Sequence, residues 1–439
     1  MTATGRPAAT GSLPGRLAIE PRGPLSGRIR VPGSKSLTNR ALLAAALASG
    51  ESLLAGPLDS DDTRVMRDCL RQLGARIDDS SAEGWRVAGT GGALRVPDRA
   101  LFVGNSGTTA RFLTAAATHA PGPVVLDGTP RMRERPVGDL VDALTGLGAR
   151  VTVLGRGGCP PVRVEGGGLA GGRTEIDASR SSQFVSAVLL AAPLARDDVE
   201  IELRAGVLVS RPYVDLTLAC MRSFGAECEW SPGGRALRVR GSTGYRAARY
   251  AVEGDASAAT YPMAAAAIAG GRVRVEGVPG DSLQPDIRFA EVLERMGCGV
   301  VRGPDYLEVT GPSGPLRPVD ADLNEFPDAA LTLAVVAAFA SGRCRIRNVA
   351  NLRIKETDRL AALETELRRL GARARALEDS LEVEPGPLHG AEVETYDDHR
   401  MAMSFALAGL RIPGVVIRDP GCVSKTWPDY FAALERLAG

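Results

Sequence analysis

Apolar positions along the chain follow a helical pattern that ends five times in the same short phrase. In each copy the apolar residues finish with Leu, Met or Phe, then Gly, then Ala or Cys, before a strand-like run. Glycine at that point fits the left-handed conformation just past a helix C-terminus. Residues 431–439 resemble a sixth, truncated copy. The five glycines lie 72 to 77 residues apart: Gly74, Gly148, Gly225, Gly297 and Gly371.

A second helix, rich in alanine, is predicted before each of these phrases. Its residues are apolar nearly all round, which is typical of a helix buried on most faces. The six predicted helices cover residues 36–48, 106–117, 182–194, 257–269, 327–340 and 400–410. Each copy is therefore an α/β repeat in which a helix, a strand, a helix and further strands follow one another. Because no copy could bury its faces alone, we expect two groups of three copies.

Length agrees with two domains, and composition argues against some classes of binding partner. A chain of 439 residues exceeds one ordinary core. Its 53 Lys+Arg nearly balance 52 Asp+Glu, and aromatic residues make up 4%, so we expect no nucleic acid and no membrane surface as a partner. The seven cysteines and three histidines show no metal-ligand spacing, which predicts a reduced cytoplasmic protein without structural disulfides or zinc. Residues 1–16 lack the apolar core of a signal peptide and are expected to form a short flexible lead.

Polar residues concentrate just before the helices, where free backbone N–H groups and the helix dipole favour anions. Ser36 and Arg40 are four residues apart, so they share one face of the first alanine-rich helix, with Lys35 at its start. Each such opening taken alone also fits an ordinary helix cap. In the first half the openings are residues 32–40, 104–111, 131–136, 179–183 and 210–213.

Three arginines alternate in the opening at residues 131–136. The two-residue period of Arg131, Arg133 and Arg135 predicts that all three lie on one side of an extended segment. Pro136 suits the first position of the helix that follows. Cations packed at a helix start are unfavourable unless an anion binds there, so this segment indicates an anion site.

Carboxylates join the cations in the second half. A helix is predicted to begin within residues 351–359, with Lys355 and Arg359 one turn apart, a spacing of like charges that destabilises a helix. Pairing of Glu356 with Arg359 explains only part of this pattern. Asp328 is predicted in the first turn of an apolar helix, and His399 before another is a possible general acid or base. The openings together predict one convergent site for a highly anionic ligand.

The ordered motifs resemble the EPSP synthase family of enolpyruvyl transferases, from about residue 17 to the C-terminus. The resemblance is carried by Pro-Gly-Ser-Lys-Ser at 32–36 followed by Arg40, Gly-Asn-Ser-Gly-Thr at 104–108, Asp-Gly-Thr-Pro-Arg-Met-Arg-Glu-Arg-Pro at 127–136, Ser-Ser-Gln at 181–183, Pro-Asp-Ala-Ala at 327–330, Lys-Glu-Thr-Asp-Arg at 355–359, Asp-His-Arg-Met-Ala-Met at 398–403 and Lys-Thr-Trp-Pro-Asp-Tyr at 425–430. None of these strings is decisive alone, but together they are highly specific.

The resemblance implies an α/β fold of two domains, each with three βαβαββ-like repeats, in the inside-out α/β barrel arrangement of enolpyruvyl transferases. The N-terminal three-repeat domain would cover residues 33–253. The C-terminal one would combine residues 1–32 with 254–439, and the chain would cross between them near 31–33 and 252–254. A monomer that closes on its ligands is expected.

The implied reaction transfers the enolpyruvyl group of phosphoenolpyruvate to the 5-hydroxyl of shikimate 3-phosphate by addition and elimination, with no cofactor or metal. The resemblance assigns catalysis to Asp328, Glu356 and Lys35. It assigns shikimate 3-phosphate to Lys35, Ser36, Arg40, Ser181, Ser182, Gln183, Ser210, Tyr213, Asp328, Asn351 and Lys355. It assigns phosphoenolpyruvate to Lys35, Asn105, Gly107, Arg131, Gln183, Arg359, Arg400 and Lys425.

Two positions depart from the commonest family pattern without touching an implied catalytic role. Phe112 stands where many relatives carry Pro, and Arg211 stands where Lys is frequent. Phe112 lies behind Gly107 and leaves open whether the herbicide glyphosate inhibits. Because Gly107 is retained, we expect inhibition.

Three other functions share some of these motifs. The enolpyruvyl transferase that acts on UDP-N-acetylglucosamine typically shows Lys-Asn at the first opening and a loop Cys, whereas Lys35 is followed by Ser36 and residues 131–136 contain no Cys. An RNA 3′-phosphate cyclase needs a nucleotidylated His, and His399 lacks that setting. A non-catalytic anion-binding scaffold need not keep Asp328 and Glu356.

Overall fold

The structure is a computed structural model that describes residues 14–437, so most of the predicted N-terminal lead and the last residues of the sixth phrase lie outside it. Twelve α-helices run through these residues: α1 Lys35–Leu47, α2 Asp61–Gln72, α3 Gly107–Ala116, α4 Gly138–Gly146, α5 Ser182–Ala191, α6 Pro212–Ser223, α7 Ala256–Ala269, α8 Phe289–Arg295, α9 Ala330–Ala337, α10 Arg359–Arg369, α11 His399–Gly409 and α12 Tyr430–Leu437. Short 3₁₀ helices lie at Ala117–His119, Met132–Glu134, Arg156–Gly158, Ala192–Leu194, Pro285–Arg288, Pro327–Ala329, Ala350–Ile354 and Pro420–Lys425.

The strands of the described residues are short. They are β1 Arg16–Ile19, β2 Leu25–Arg30, β3 Ala48–Ser49, β4 Glu51–Ala55, β5 Arg76–Asp78, β6 Trp85–Ala88, β7 Leu101–Phe102, β8 Val124–Asp127, β9 Val151–Val153, β10 Val162–Val164, β11 Gly172–Ala178, β12 Val199–Leu208, β13 Cys228–Trp230, β14 Ala236–Val239, β15 Tyr245–Arg246, β16 Arg249–Ala251, β17 Gly271–Glu276, β18 Gly299–Arg302, β19 Tyr306–Thr310, β20 Asp320–Asp322, β21 Cys344–Arg347, β22 Arg373–Ala376, β23 Leu381–Glu384, β24 Glu392–Val393 and β25 Val415–Arg418.

Six sheets share a pairing pattern in which a parallel pair continues into antiparallel pairing, and in five of them the antiparallel strands form a hairpin. Five sheets have four strands each, in the orders β16-β4-β6-β5, β7-β8-β10-β9, β11-β12-β14-β13, β2-β17-β19-β18 and β20-β21-β23-β22. The sixth has three strands, because β24 pairs in parallel with β25 and β1 from the start of the chain completes it. The repeated α/β unit predicted from the apolar pattern is therefore present six times.

The repeat glycines have the predicted backbone conformation. Gly74, Gly148, Gly225, Gly297 and Gly371 have φ values between 83° and 109° and follow helices α2, α4, α6, α8 and α10. An L side chain is strained in that conformation, which is why glycine recurs there.

Buried apolar side chains form two separate clusters. The first cluster is formed by α1 to α6 and β3 to β15; we call these elements, together with β16, the first lobe. The second cluster is formed by α7 to α12, β2 and β17 to β25; we call these elements, together with β1, the second lobe. In the first lobe α1, α3 and α5 pack against one another, and α7, α9 and α11 do so in the second. All fourteen residues of α7 are buried, as its alanine-rich pattern predicts.

The six predicted alanine-rich helices correspond to α1, α3, α5, α7, α9 and α11, but three of them differ from the prediction at one end. The stretches predicted at 106–117 and 182–194 finish in 3₁₀ turns, and the one predicted at 327–340 begins in one. Pro193 and Pro327, each within the first positions of such a turn, explain two of these changes, because proline removes a backbone donor. The prediction that Pro136 starts a helix is wrong, since α4 begins at Gly138.

Replacing Gly271 by Ala is expected to destabilise the second lobe. Gly271 has φ +90°, and a Cβ there would lie 1.8 Å from the carbonyl oxygen of Leu25 in the paired strand β2. The strain and the backbone clash should lower the free energy of unfolding by roughly 3 kcal/mol, measured by denaturant unfolding. Gly314→Ala is the control, because a Cβ at Gly314 meets nothing within 4 Å. Equal stability of the two variants would contradict the prediction.

Candidate active site

A cleft between the lobes collects the N-terminal ends of the buried helices. It is lined by the start of α1, α3 and α5 from the first lobe and by the turn before α9 from the second. The eleven residues assigned to shikimate 3-phosphate by resemblance all line it, together with Thr108, Arg180 and Pro327. Free N–H groups and helix dipoles at such ends favour a bound anion.

The first-lobe side of the cleft holds a guanidinium in a fixed position. Arg40 is 3% exposed and donates to the carbonyl of Ser36 at 2.9 Å and to Oγ1 of Thr217 at 2.8 Å. Burial lowers the pKa of Arg40 to about 10, so it remains a cation at neutral pH. Its contact with Ser36 confirms that the two residues share one face of α1.

Hydroxyl and amide groups line the opening of α5. Ser181 caps the helix by accepting from the backbone N–H of Gln183 at 3.2 Å. The side-chain amide of Gln183 reaches the opening of α3, where it donates to Oγ1 of Thr108 at 3.3 Å. Ser182 is buried beside them. These donors belong to two helices and are held at one wall of the cleft.

Arg359 links three carboxylates on the second-lobe side. This side chain is 1% exposed. Its guanidinium lies 2.7 Å from Asp398, 2.9 Å from Glu356 and 3.1 Å from Asp328. The predicted pairing of Glu356 with Arg359 is confirmed. A buried cation with three such partners is firmly positioned, because losing any of them leaves a buried charge less compensated.

Asp328 accepts from more than one cation. Arg400 donates to it at 3.0 Å, and Nζ of Lys355 lies 3.7 Å away. Burial would raise the pKa of Asp328, but Arg400, Lys355 and Arg359 outweigh burial and hold that pKa well below its usual range. Asp328 is therefore ionised, with both oxygens able to accept a proton or a hydrogen bond.

Glu356 lies among cations in the same buried layer. Burial opposes its ionisation, but Arg359, Arg135 and Lys425 hold the pKa of Glu356 well below the usual value. His399 is also buried; burial and the charge of Arg400 lower the pKa of His399 well below its usual value. It is thus neutral, and neither ring nitrogen has a hydrogen-bond partner among residues 14–437. The predicted acid or base candidate therefore lies among the charged groups that act on Glu356.

Two lysines from different lobes share one carboxylate. Nζ of Lys425 lies 2.6 Å from Asp62 and donates to the carbonyl of Asn105 at 3.0 Å. Nζ of Lys35 lies 3.7 Å from the same Asp62, and the backbone N–H of Lys35 donates to Asp255 at 3.0 Å. Lys35 and Lys425 are therefore brought together by Asp62.

The arginine segment differs from its prediction. Met132–Glu134 is a 3₁₀ helix, so the three arginines do not share one side. Arg133 pairs with Asp127 at the surface. Arg131 reaches across to the second lobe and donates to the carbonyl of Lys355 at 2.9 Å, whereas Arg135 is buried and donates to the carbonyl of Asn105 at 3.0 Å. The two-residue period of the arginines in the sequence does not predict that each of them has a different partner.

Gly107 starts α3 directly against two guanidinium groups. A Cβ at this position would lie 2.4 Å from Arg135 and 2.5 Å from Arg111. Arg111 is itself buried and donates to the carbonyls of Gly107 and Pro136, and burial and the charge of Arg135 lower its pKa to about 9. Glycine is therefore required here for close approach of cations rather than for an unusual φ.

The prediction that Lys355 and Arg359 lie one turn apart on a helix is wrong. Lys355 has extended backbone after the 3₁₀ helix Ala350–Ile354, and α10 begins at Arg359 with Asp358 as its cap. Lys355 is thereby free to turn into the cleft beside Asn351, whose Oδ1 is buried without a partner in the described part of the chain. Burial lowers the pKa of Lys355, against the opposing charge of Asp328.

Several residues at the cleft carry little signal in the sequence. Arg135 stands out only as one of three alternating arginines, and Arg180 only as part of a helix opening, although it directly precedes Ser181. Asp62 and Asp255 gave no local signal, because their partners Lys425 and Lys35 are distant along the chain. Among residues 14–437 no group of three His, Cys, Asp or Glu side chains is placed to hold a metal, and no helix there is long and apolar enough to cross a membrane.

Fold and cleft together are those of a two-lobed α/β protein in which helix N-termini, cations and buried carboxylates converge on one cleft suited to anionic ligands. The sequence model of the family described as EPSP synthase (3-phosphoshikimate 1-carboxyvinyltransferase) matches residues 19–434. The chain belongs to the EPSP synthase family.

Relatives at high coverage carry the same name. A 3-phosphoshikimate 1-carboxyvinyltransferase of an Enterobacter species is 48% identical over 96% of this chain and 99% of its own length. One of Nostoc punctiforme is 47% identical over 93% of this chain and 95% of its own length.

Solved structures share the fold. EPSP synthase from Acinetobacter baumannii has a TM-score of 0.80 at 27% identity, covering 96% of this chain and 98% of the other. The enolpyruvyl transferase NikO from Streptomyces tendae has a TM-score of 0.77 at 21% identity, covering 96% of both chains, which is a likeness of fold alone.

Proposed function

We propose that this chain transfers the enolpyruvyl group of phosphoenolpyruvate to the 5-hydroxyl of shikimate 3-phosphate, giving 5-enolpyruvylshikimate 3-phosphate and phosphate. The observation that carries the proposal is the pair Asp328 and Glu356, two ionised carboxylates joined by Arg359, of which Asp328 lines a cleft otherwise formed mainly by cations, hydroxyls and amides. Both substrates carry a phosphate and a carboxylate, so such a cleft complements them. The family membership of the chain supports the same reaction.

Binding of these anions would also change the proton affinity of the two carboxylates. Before binding, Lys355, Arg359 and Arg400 depress the pKa of Asp328. Substrate oxygens that share these cations would weaken their hold on Asp328, and its basicity would rise. The same argument applies to Glu356, whose pKa is depressed by Arg359 and Lys425 among others.

The reaction then needs two proton transfers in the addition. Asp328 accepts the proton of the 5-hydroxyl while the oxygen of that hydroxyl attacks C2 of phosphoenolpyruvate. Glu356, protonated after the cations turn to the substrate, delivers a proton to the methylene carbon, which becomes a methyl group. In the elimination Glu356 recovers a proton from that methyl group as the C2–O bond to phosphate breaks, with Lys35 assisting at the departing phosphate. Acid–base help of this kind contributes about 10²–10⁴-fold.

We assign shikimate 3-phosphate to the eleven cleft residues named above. We assign phosphoenolpyruvate to Lys35, Asn105, Gly107, Arg131, Gln183, Arg359, Arg400 and Lys425, and we add Arg135. The support for Arg135 is its buried guanidinium against Gly107 and Asn105. Arg131 has a competing role, because it bridges the lobes through the carbonyl of Lys355.

We further infer a cytoplasmic monomer of two domains that close on the substrates. The division at residues 33–253 against 1–32 plus 254–439 is supported by the two apolar clusters and by the antiparallel bridge between Gly33 and Gly254 where the chain crosses twice. Light scattering at working concentration tests the monomer.

Phosphate release tests the reaction. Purified protein with phosphoenolpyruvate and shikimate 3-phosphate should release phosphate, and UDP-N-acetylglucosamine in place of shikimate 3-phosphate should not support release. Release only with the UDP sugar would instead assign the chain to the other enolpyruvyl transferase, and release with neither acceptor would leave a non-catalytic binding protein.

Replacing Gly107 by Ala is expected to weaken phosphoenolpyruvate binding selectively. The added methyl group would displace Arg135 and Arg111, whose guanidinium groups it would meet at 2.4 and 2.5 Å. Loss of one charged hydrogen bond should raise KM for phosphoenolpyruvate by about 10-fold or more, with KM for shikimate 3-phosphate little changed. Inhibition by glyphosate, expected to compete with phosphoenolpyruvate in the parent, should weaken as well. Equal changes in both KM values would contradict this prediction; Gly421→Ala, with open space around its Cβ, is the control.

A further inference from the structure

The corner between β12 and α6 is held by the opposite lobe at two points. The backbone N–H of Ser210 donates to the carbonyl of Asn324 at 3.1 Å, and the phenol of Tyr213 donates to Asp286 at 2.5 Å. Ser210 and Tyr213 belong to the first lobe, whereas Asn324 and Asp286 belong to the second. These contacts exist only when the lobes are together.

Asp286 is an unusual carboxylate for a purely structural role. It is 1% exposed, and within residues 14–437 it forms no ion pair with Lys or Arg. Its partners are two hydroxyls, those of Tyr213 from across the cleft and of Ser257 at 2.8 Å from its own lobe. A buried carboxylate without a cation is costly unless its hydrogen bonds compensate. Removing Tyr213 would therefore leave Asp286 with one hydroxyl partner.

Backbone strain lies at the same corner. Ser210 has φ 53°, in the left-handed region, and is buried. A residue other than glycine keeps that conformation only where surrounding contacts impose it, and such residues cluster at functional sites. Here the cross-lobe bond from Ser210 to Asn324 is one of those contacts.

We propose that Asp286 is a positioning residue that holds Tyr213 against the second lobe and thereby favours the closed form that binds shikimate 3-phosphate. Asp286 does not touch the substrate in this scheme. It fixes the phenol of Tyr213, which lines the cleft beside Ser210. Burial and the negative charge of Asp328 raise the pKa of Asp286 to about 6, while burial and Asp286 raise the pKa of Tyr213 well above its usual value, so the phenol keeps the proton that it donates.

A double-mutant cycle tests the pair. Tyr213→Phe and Asp286→Asn should each raise KM for shikimate 3-phosphate, by about 10-fold for the first, and KM for phosphoenolpyruvate should change less. Because both act on one bond, the double variant should be no worse than Tyr213→Phe alone. Ser257→Ala keeps the cross-lobe bond and should have a smaller effect, and Glu291→Gln, an exposed carboxylate of α8, is the matched control. Additive effects in the cycle, or unchanged KM in Asp286→Asn, would overturn the proposal.

The separation of the two lobes can be measured directly, and it should not change if Asp286 only stabilises the fold. Small-angle X-ray scattering should give a larger radius of gyration for ligand-free Tyr213→Phe and Asp286→Asn than for the parent, and saturating shikimate 3-phosphate should restore the parent value. Equal radii of gyration would overturn the proposal, whether or not the melting temperature falls. The KM measurements depend on the proposed function, which is tested separately by phosphate release with the parent protein. Scattering of the ligand-free variants does not depend on the proposed function.

Discussion

Glu356→Gln is expected to lower kcat by roughly 10³-fold while KM for both substrates changes only a few-fold. Glutamine keeps the size of the side chain and an oxygen for Arg359, but it cannot give a proton to carbon or take one back. Arg359 retains Asp398 at 2.7 Å and Asp328 at 3.1 Å, so its position should survive the substitution. Steady-state phosphate release in both substrates checks the prediction.

A second measurement isolates the proton transfer at carbon. If Glu356 protonates the methylene group and later removes a proton from the methyl group, phosphoenolpyruvate recovered from a reaction in D₂O should carry deuterium at that carbon. Glu356→Gln should lose this exchange. Glu364→Gln is the control, because Glu364 lies on the same helix α10 and pairs with Arg368 away from the cleft. Exchange that continues in Glu356→Gln would assign the transfer to another group, for which neutral His399 is a candidate.

The repeat architecture could be predicted because its signals are local. A helix that is apolar all round must be buried, and a glycine just past a helix needs a positive φ; both follow from a window of a dozen residues. Such windows predict the six alanine-rich helices and the five glycines that the structure contains. Helix ends were less accurate where proline or a 3₁₀ turn intervenes, as at Pro193 and Pro327.

The site could be predicted only in part, because its geometry depends on partners distant in sequence. The charge pattern predicts Lys355 on one helix with Arg359, whereas Asp358 is a good N-cap whose side chain accepts from the backbone N–H of Ala361, so that α10 begins at Arg359. Arg133 turns away because Asp127 pairs with it. A local sequence pattern cannot predict these pairings.

Cross-lobe contacts are the part of the site least visible in the sequence. Asp62 joins Lys35 to Lys425 only after six repeats have folded into two lobes and the lobes have met. The family resemblance assigned both lysines a ligand, but it could not give the carboxylate that holds them when no substrate is bound. The closed cleft is therefore stabilised by internal carboxylates at positions where substrate anions would compete.

Asp328→Asn provides the sharpest test of that competition. Asp328 lies 3.0 Å from Arg400, 3.1 Å from Arg359 and 3.7 Å from Lys355, and asparagine would remove the charge that balances them. We expect kcat to fall by about 10²–10⁴-fold, because the 5-hydroxyl loses its proton acceptor. We also expect the ligand-free protein to be less stable, because the remaining cations repel one another when their shared anion is gone.

The two effects should separate when an anion is added. Inorganic phosphate should raise the melting temperature of Asp328→Asn more than that of the parent, since the exposed cations then have a partner, and KM for shikimate 3-phosphate should stay equal or fall. Activity should not recover, because phosphate restores charge balance but not the proton acceptor. Asp320→Asn, which removes an exposed carboxylate paired with Arg347, is the matched control. If Asp328→Asn kept near-parent kcat, Asp328 would serve only to hold the cations, and the base would have to be sought elsewhere in the cleft.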